Sequence, residues 1–155
     1  MKEVKGDILT GLEEGDVRGN VVILHGCNCF HIMGAGIAVY LRKKYPIIYA
    51  ADKETVLGDP AKLGTYSSAF VFENKYVQVE VANCYTQYGL GDRNHKVPVE
   101  YGAVRSALQK INKDYDGWEI RTPMIGCGLA GGDWSVVKRI FEEELSDQNI
   151  TLYTI

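Results

Sequence analysis

Two glycine-rich segments constrain this chain more than any other feature of its sequence. Residues 33–38 read Met-Gly-Ala-Gly-Ile-Ala and residues 126–132 read Gly-Cys-Gly-Leu-Ala-Gly-Gly, and each lies between an apolar run and a stretch with helical spacing. Glycine lets the backbone approach a ligand closely, and the first turn of a helix presents unpaired N–H groups. One such segment alone could be a tight turn with no ligand, but two in one small domain favour an anion-binding site.

The rest of the sequence predicts alternating strands and helices in a single domain over residues 1–155. Apolar runs and two-residue alternation predict strands at 4–9, 20–28, 65–72, 76–85, 119–125 and 150–155. Helical spacing predicts helices at 36–45, 46–55, 99–112 and 134–145, with a mobile loop at 87–98. We therefore expect an α/β domain with a mixed central sheet, helices on both faces, and a ligand at the carboxyl ends of the strands.

Composition argues against several other classes of protein. The formal net charge is -3 and no basic stripe is present, so nucleic acid is not an expected partner. The N-terminus, MKEV, lacks the apolar run of a signal peptide, and no run is long enough to span a bilayer. We expect a cytoplasmic monomer without a membrane partner, whose four cysteines are buried thiols.

The second glycine segment contains the G-x-G-x-x-G pattern of dinucleotide-binding domains, over Gly126 to Gly131. In a Rossmann domain this pattern opens a βαβ unit with further sheet after it and an acidic residue about twenty positions on. Here the chain ends after one predicted helix and one predicted strand. The sequence therefore predicts a phosphate-binding loop rather than half of a Rossmann domain.

Four segments in order resemble one known family. They are Val-Lys-Gly-Asp-Ile-Leu at 4–9, His-Gly-Cys-Asn-Cys at 25–29 followed by the first glycine segment, Ile-Gly-Cys-Gly-Leu at 125–129, and the ending Thr-Leu-Tyr-Thr-Ile. Together they look like a macrodomain, the ADP-ribose-binding fold with three layers, over nearly the whole chain. Two branches are most similar: the terminal ADP-ribose protein glycohydrolase and the yeast ADP-ribose 1''-phosphate phosphatase. Bacteriophage-encoded macrodomains are also similar.

The resemblance implies a role for individual residues. Asp7 would accept a hydrogen bond from the adenine amino group with the Ile8 backbone beside it, Tyr153 would lie against the adenine, and Asn28 would bind a hydroxyl of the distal ribose. The backbone around the diphosphate and distal ribose would come from Gly34, Ala35, Gly36, Ile37, Ile125, Gly126, Cys127, Gly128, Leu129 and Ala130. Without a ligand, Asp7 could be a turn or cap residue, Tyr153 an ordinary strand aromatic, and Asn28 a polar strand end.

The chain departs from the glycohydrolase branch at the chemistry. That branch forms a lysine adduct with the sugar and resolves it with an aspartate just after Gly-Cys-Gly-Leu. Here the aspartate position is Ala130, and the stretch where the lysine should fall reads Asn-Cys-Tyr-Thr-Gln at 83–87. The resemblance therefore does not carry the covalent mechanism to this chain.

Four residues are candidates for catalysis at the distal ribose: His25, Asn28, His31 and Asp133. His25 matches the histidine of the phosphatase branch and could donate a proton or hold a phosphate, or could be a histidine hydrogen-bonded within its strand. His31 could reach the distal ribose or be a solvated loop residue. Asp133 could orient a water or cap the helix after it. More distant candidates are Asp92 and His95 in the predicted loop.

These residues predict a macrodomain that binds ADP-ribose and hydrolyses ADP-ribose 1''-phosphate, without a cofactor or metal. One alternative is a non-catalytic reader of ADP-ribose, and another is a hydrolase that works without the lysine–aspartate pair. A metal site of His25, Cys27, Cys29 and His31 is disfavoured, because zinc-binding cysteines usually converge from a turn and a two-residue period spreads them along a strand.

Overall fold

A computed structural model of the protein describes residues 1–90 and 98–155. Asp92 and His95 lie outside these residues, as does most of the loop predicted at 87–98. The strands are β1 (Lys2–Lys5), β2 (Gly19–Cys27), β3 (Tyr66–Glu73), β4 (Val77–Tyr85), β5 (Glu119–Thr122) and β6 (Asn149–Thr154). The helices are α1 (Gly36–Lys44), α2 (Ile47–Lys53), α3 (Tyr101–Asp114) and α4 (Trp134–Glu144), with a 3₁₀ turn at Pro60–Lys62 that the sequence did not predict.

The six strands form one mixed sheet in the order β1-β6-β5-β2-β4-β3. Only the β3–β4 pair is antiparallel, which confirms the hairpin predicted from the alternation of Val77, Val79 and Val81. The strands β5, β2 and β4 are parallel neighbours, so their carboxyl ends meet at one edge of the sheet. The chain is thus an α/β domain of the predicted kind.

The central strand β2 explains the three layers. Its residues Val21 to Leu24 are fully buried and alternate between two hydrophobic clusters. Val22 and Leu24 pack with residues of α3 and α4, whereas Val21 and Ile23 pack with Leu41 of α1 and Ile48 of α2. Burying an aliphatic side chain contributes about 1.5–3 kcal/mol, so a strand that is apolar on both sides must be covered by helices on both faces.

The first strand is present, but the bounds predicted for it, 4–9, were wrong. β1 spans Lys2–Lys5, and residues 8–15 form turns. Ile8 and Leu9 are apolar because they are buried in those turns, not because they belong to a strand. Arg121 of β5, which is 2% exposed, holds the turn by donating hydrogen bonds to the carbonyls of Ile8 and Thr10, each at 2.8 Å.

Other boundaries shift by a few residues. β5 ends at Thr122 rather than at 125, and Pro46 caps α2 instead of lying in its first turn. The longest described helix, α3, has 14 residues, and none in the described part of the chain is long and apolar enough to cross a bilayer.

Candidate functional site

A cleft of about 580 Å³ lies at the carboxyl ends of β5, β2 and β4. Its volume falls within the range of small-molecule sites. Its lining comes from the end of β2, both glycine segments and the residues after β4: Gly26, Cys27, Asn28, Ile32, Met33, Gly34, Ala35, Gly36, Ile37, Ala38, Gln87, Leu90, Pro123, Met124, Ile125, Gly126, Gly128, Leu129 and Ala130. The folded chain therefore brings the two glycine segments into one site.

No charged side chain lines the cleft in the described part of the chain. Its polar groups are the side-chain amides of Asn28 and Gln87 and backbone N–H groups, which include those of the first turn of α1, where no side chain caps the helix. The N–H groups of Gly126, Gly128, Leu129 and Ala130 also donate to no described residue. Such a lining favours an anion bound by dipoles rather than by an opposite charge.

Two glycines of the second segment differ in what an added side chain would meet. Gly126 has a φ of +74°, and a Cβ there would lie 2.5 Å from Cγ2 of Val99. Gly128 has no positive φ, and a Cβ there would have nothing within 4 Å. The fold therefore requires glycine at position 126, whereas at position 128 a side chain fits the fold and would enter the cleft.

Asn28 lines the cleft, and its amide also folds the loop after β2. Its Oδ1 accepts a hydrogen bond from the Phe30 N–H at 2.8 Å, and its Nδ2 donates to the Ile32 carbonyl at 2.8 Å. One hydrogen of Nδ2 has no described partner. Asn28 thus shapes the loop and leaves one donor of its amide without a described partner.

Asp7, Ile8 and Tyr153, predicted to bind adenine, do not line the cleft. Asp7 is exposed; its Oδ1 accepts from the Leu9 N–H at 2.9 Å and its Oδ2 from the Tyr40 hydroxyl at 2.6 Å. The Tyr153 ring packs 5.1 Å from the Arg121 guanidinium. Arg121 thus contacts both the turn after Asp7 and the Tyr153 ring, a link that sequence analysis missed.

His25 is fully buried and points to the α2 side of the sheet, away from the cleft lining. Its Nε2 lies 2.6 Å from Oδ1 of Asn83. Because Nδ2 of Asn83 donates to the Ile48 carbonyl and to Ser67 Oγ, its Oδ1 must accept, so Nε2 of His25 carries the proton. Burial lowers the pKa of His25, against the opposing effect of the Asn83 hydrogen bond.

The hydrogen-bond network continues from Ser67 to Tyr85 and Asp52. The hydroxyls of Ser67 and Tyr85 are 2.8 Å apart, and the Tyr85 hydroxyl donates to the buried carboxylate of Asp52 at 2.7 Å. We call His25, Asp52, Ser67, Asn83 and Tyr85 the α2-face polar cluster. Its hydrogen bonds are made within the chain, so the structure gives His25 the role of a strand histidine with internal partners.

The other two candidate catalytic side chains also have partners outside the cleft. Nε2 of His31 lies 2.9 Å from the Thr55 carbonyl. Asp133 caps α4, with Oδ1 accepting from the Ser135 N–H at 2.9 Å and from the Ser135 hydroxyl at 2.7 Å, and these bonds lower its pKa. Of the four candidates, only Asn28 lies in the cleft; catalytic roles for His25, His31 and Asp133 stay predictions that their positions do not favour.

The positions that carry the glycohydrolase pair contribute no charge to the cleft. Ala130 lines it, and so does Gln87, the last residue of the stretch where the lysine should fall. The side-chain amide of Gln87 donates to the Gly89 carbonyl at 2.8 Å. Sequence analysis did not select Gln87 or Gly26 as site residues. The available signals were the position of Gly26 between His25 and Asn28 near the end of a predicted strand, and that of Gln87 at the start of the predicted loop.

Burial raises the pKa of all four cysteine thiols above its ordinary value. Burial raises the pKa of Cys27 well above its ordinary value, and that of Cys84 to about 12. Cys127, predicted to bind the ligand, is half-buried outside the cleft lining, and its Sγ donates to the Ile125 carbonyl. Within residues 1–90 and 98–155, no three histidine, cysteine or acidic side chains are grouped closely enough to hold a metal.

Known proteins with similar sequences or structures indicate which fold this is. No family model matches the chain. It is 36% identical to an uncharacterized 17.5 kDa protein from the tk–vs intergenic region of Enterobacteria phage T4, covering 98% of this chain and 94% of the phage protein. A solved structure of a protein of unknown function from Bacteroides thetaiotaomicron has a TM-score of 0.78 at 29% identity, covering 99% of this chain and 97% of that one.

Two further solved structures are macrodomain or DarTG proteins. A macrodomain protein from Streptomyces coelicolor has a TM-score of 0.74 at 27% identity, covering 99% of this chain and 98% of its own. Thermosipho africanus DarTG, solved in complex with ADP-ribose, has a TM-score of 0.67 at 20% identity, covering 86% of this chain and 38% of that one. With these similarities and its three-layer arrangement, the chain has the fold of a macrodomain and resembles the Streptomyces coelicolor protein over nearly its whole length.

Proposed function

We propose that this protein binds ADP-ribose in the cleft between its two glycine segments. The observation that carries the proposal is that N–H groups from both segments, without partners among the described residues, border a cleft that no described charged side chain lines. A diphosphate is an anion that backbone dipoles and a helix N-terminus can bind without a basic residue. The DarTG structure supports the choice, since ADP-ribose is the ligand bound there.

The ligand's orientation follows from the position of the polar groups. The diphosphate lies along the N–H groups of α1 and of residues 126–130, and the distal ribose lies at Asn28, whose amide keeps one free donor. The adenine points toward Asp7 and Tyr153, where Asp7 exchanges its hydrogen bond from Tyr40 for one from the adenine amino group. The exposed position of Asp7 makes this exchange inexpensive.

Calorimetric titration of the purified protein tests the binding proposal. We expect saturable binding of ADP-ribose, with weaker binding of ADP and of AMP, because each shorter ligand leaves more of the cleft unfilled. The absence of binding at high micromolar ADP-ribose would overturn the proposal. A protein that bound AMP as tightly as ADP-ribose would also contradict it, because the glycine segments would then contribute nothing.

A second candidate function is hydrolysis of ADP-ribose 1''-phosphate. Water would attack the phosphorus, the bond from phosphorus to the 1''-oxygen would break, and ADP-ribose and inorganic phosphate would be released. Phosphoryl transfer depends mainly on positioning and on stabilising negative charge, which backbone donors supply. The N–H groups of Gly126, Gly128, Leu129 and Ala130, which have no described partner, and the free donor of Asn28 favour this reaction.

Phosphate release separates the phosphatase from the alternatives. Turnover of ADP-ribose 1''-phosphate supports the enzyme, and it should be lost in Asn28→Ala. ADP-ribose binding without phosphate release identifies a reader. Release of ADP-ribose from a modified protein would instead support a glycohydrolase; the uncharged residues at positions 87 and 130 argue against the lysine–aspartate mechanism for it.

A further inference from the structure

Thr86 carries a buried hydroxyl without a partner. The residue follows β4 and is 1% exposed, and within the described part of the chain its Oγ1 is the one buried side-chain oxygen or nitrogen that makes no hydrogen bond. Its backbone is anchored on both sides: its N–H donates to the Cys27 carbonyl at 3.1 Å, and its carbonyl accepts from the Glu100 N–H at 2.8 Å. Buried polar groups are normally paired, so this hydroxyl calls for a physical explanation.

The hydroxyl lies directly under the floor of the cleft. A Cβ on Gly26 would lie 2.8 Å from Oγ1 of Thr86, 3.2 Å from Cγ2 of Ile125 and 3.8 Å from N of Gly126. Gly26, Ile125 and Gly126 all line the cleft. Since Gly26 has no side chain, the Thr86 hydroxyl packs directly against a residue of the cleft lining.

We propose that Thr86 is a specificity-determining residue that recognises the distal sugar of the ligand. This inference rests on the proposed binding of ADP-ribose. In the complex, the Thr86 side chain turns or the Gly126 backbone shifts, and Oγ1 forms a hydrogen bond with a hydroxyl oxygen of the distal ribose. Both groups are hydroxyls that donate and accept, so the bond forms in either direction.

A packing role for Thr86 predicts the opposite behaviour. If the side chain only filled space, valine would replace it without loss, because valine has the same shape and no unpaired polar atom. The proposal instead separates two properties: removing the hydroxyl leaves the free protein as stable as before, or more so, and weakens binding of the sugar. No purely structural role gives this combination.

The test compares Thr86→Val with Thr86→Ser, using ADP-ribose, ADP and the melting temperature of the free protein. For Thr86→Val we expect about tenfold weaker binding of ADP-ribose, the loss of roughly one hydrogen bond, with ADP affinity kept within about twofold. Its melting temperature should equal or exceed that of the wild type. Thr86→Ser, which keeps the hydroxyl, should bind ADP-ribose within about threefold of the wild type.

Thr122→Val is the matched control for stability. Thr122 is equally buried, but its hydroxyl donates to the Pro123 carbonyl at 2.8 Å, so removing it should lower the melting temperature. If Thr86→Val binds ADP-ribose like the wild type, or loses ADP-ribose and ADP equally, recognition of the distal sugar by Thr86 is wrong. Wild-type protein that fails to bind ADP-ribose overturns the proposed function itself, and this inference with it.

Discussion

The end of β2 borders two polar regions with opposite properties. On the α2 face, the polar cluster around His25 and Asn83 contains titratable and hydroxyl groups whose hydrogen bonds are made within the chain. At the sheet edge, the cleft has no charged side chain in the described residues, yet N–H groups from both glycine segments lack partners there. Residues typical of catalysis therefore lie in the first region, and unused hydrogen-bonding capacity lies in the second.

This difference shows which of the two regions is built for a ligand. A buried polar group whose bonds are satisfied internally contributes to stability and has nothing left to offer a ligand. A donor beside an open cleft has no partner within the chain and is available to an anion that displaces water from it. We therefore assign stability to the α2-face polar cluster and binding to the cleft, and the two assignments can be tested separately.

The largest expected effect is at Gly128. A glutamate there meets no protein atom within 4 Å of its Cβ, so it fits the fold and places bulk and negative charge in the cleft. We expect Gly128→Glu to weaken ADP-ribose binding about 1,000-fold or more, equivalent to roughly 4 kcal/mol, with an unchanged melting temperature. Titration calorimetry and thermal unfolding measure the two quantities.

Gly102→Glu is the control for Gly128→Glu. Gly102 is exposed in the first turn of α3, has nothing within 4 Å of an added Cβ and does not line the cleft. It adds the same side chain and charge elsewhere, and its affinity for ADP-ribose should match that of the wild type. Equal loss of binding in both variants would mean that net charge, and not the cleft, controls affinity.

The second prediction removes the His25 side chain. His25→Ala leaves a cavity and an unpaired Oδ1 on Asn83, so we expect a loss of about 3 kcal/mol in the free energy of unfolding. Binding of ADP-ribose should change less than about threefold, because His25 does not line the cleft. Denaturant unfolding and titration calorimetry check the two parts, and a variant of normal stability that loses phosphatase activity would restore His25 to the reaction.

Much of the fold could be predicted from the sequence because local patterns determine it. The alternation of Val77, Val79 and Val81 and the apolar run of β2 require burial, and the structure places both in the sheet. The turn after β1 could not be predicted, because Ile8 and Leu9 look like strand residues. What holds them is a hydrogen bond from Arg121, 113 positions along the chain.

The candidate site was predictable in its backbone and less so in its side chains. Glycine in a strand-to-helix segment indicates a loop geometry directly, so both glycine segments were identified. The direction of His25 was not identified, because strand periodicity puts His25 and Gly26 on opposite faces without telling which face borders the ligand. Thr86 was not identified for a related reason. A hydroxyl without a hydrogen-bond partner can be recognised only in the folded structure, where the positions of its neighbours are known.

The third prediction concerns the pH dependence of stability. Burial lowers the pKa of His25, so the folded chain keeps the ring neutral while the unfolded chain protonates it below about pH 6.5. The unfolded state then binds more protons, and stability, complete above that pH, falls below it by up to about 1.4 kcal/mol per pH unit. Unfolding measured between pH 5 and 7 should show a shallower dependence in His25→Phe than in the wild type, and equal slopes would contradict a buried neutral ring.

The smallest expected effect is in the binding reaction itself. Cys27, the titratable side chain in the described lining, is held neutral because burial raises its pKa, and the N–H donors do not titrate. We therefore expect the dissociation constant for ADP-ribose to change less than about twofold between pH 6 and pH 9. The free energy of unfolding, in contrast, should fall as the pH falls over the acidic half of that range. Calorimetry at four pH values at constant ionic strength measures it. A step in affinity near pH 6.5 would contradict an uncharged site and require a histidine at the ligand; the same titration of His31→Gln would then decide between His31 and His95, which lies outside the described residues.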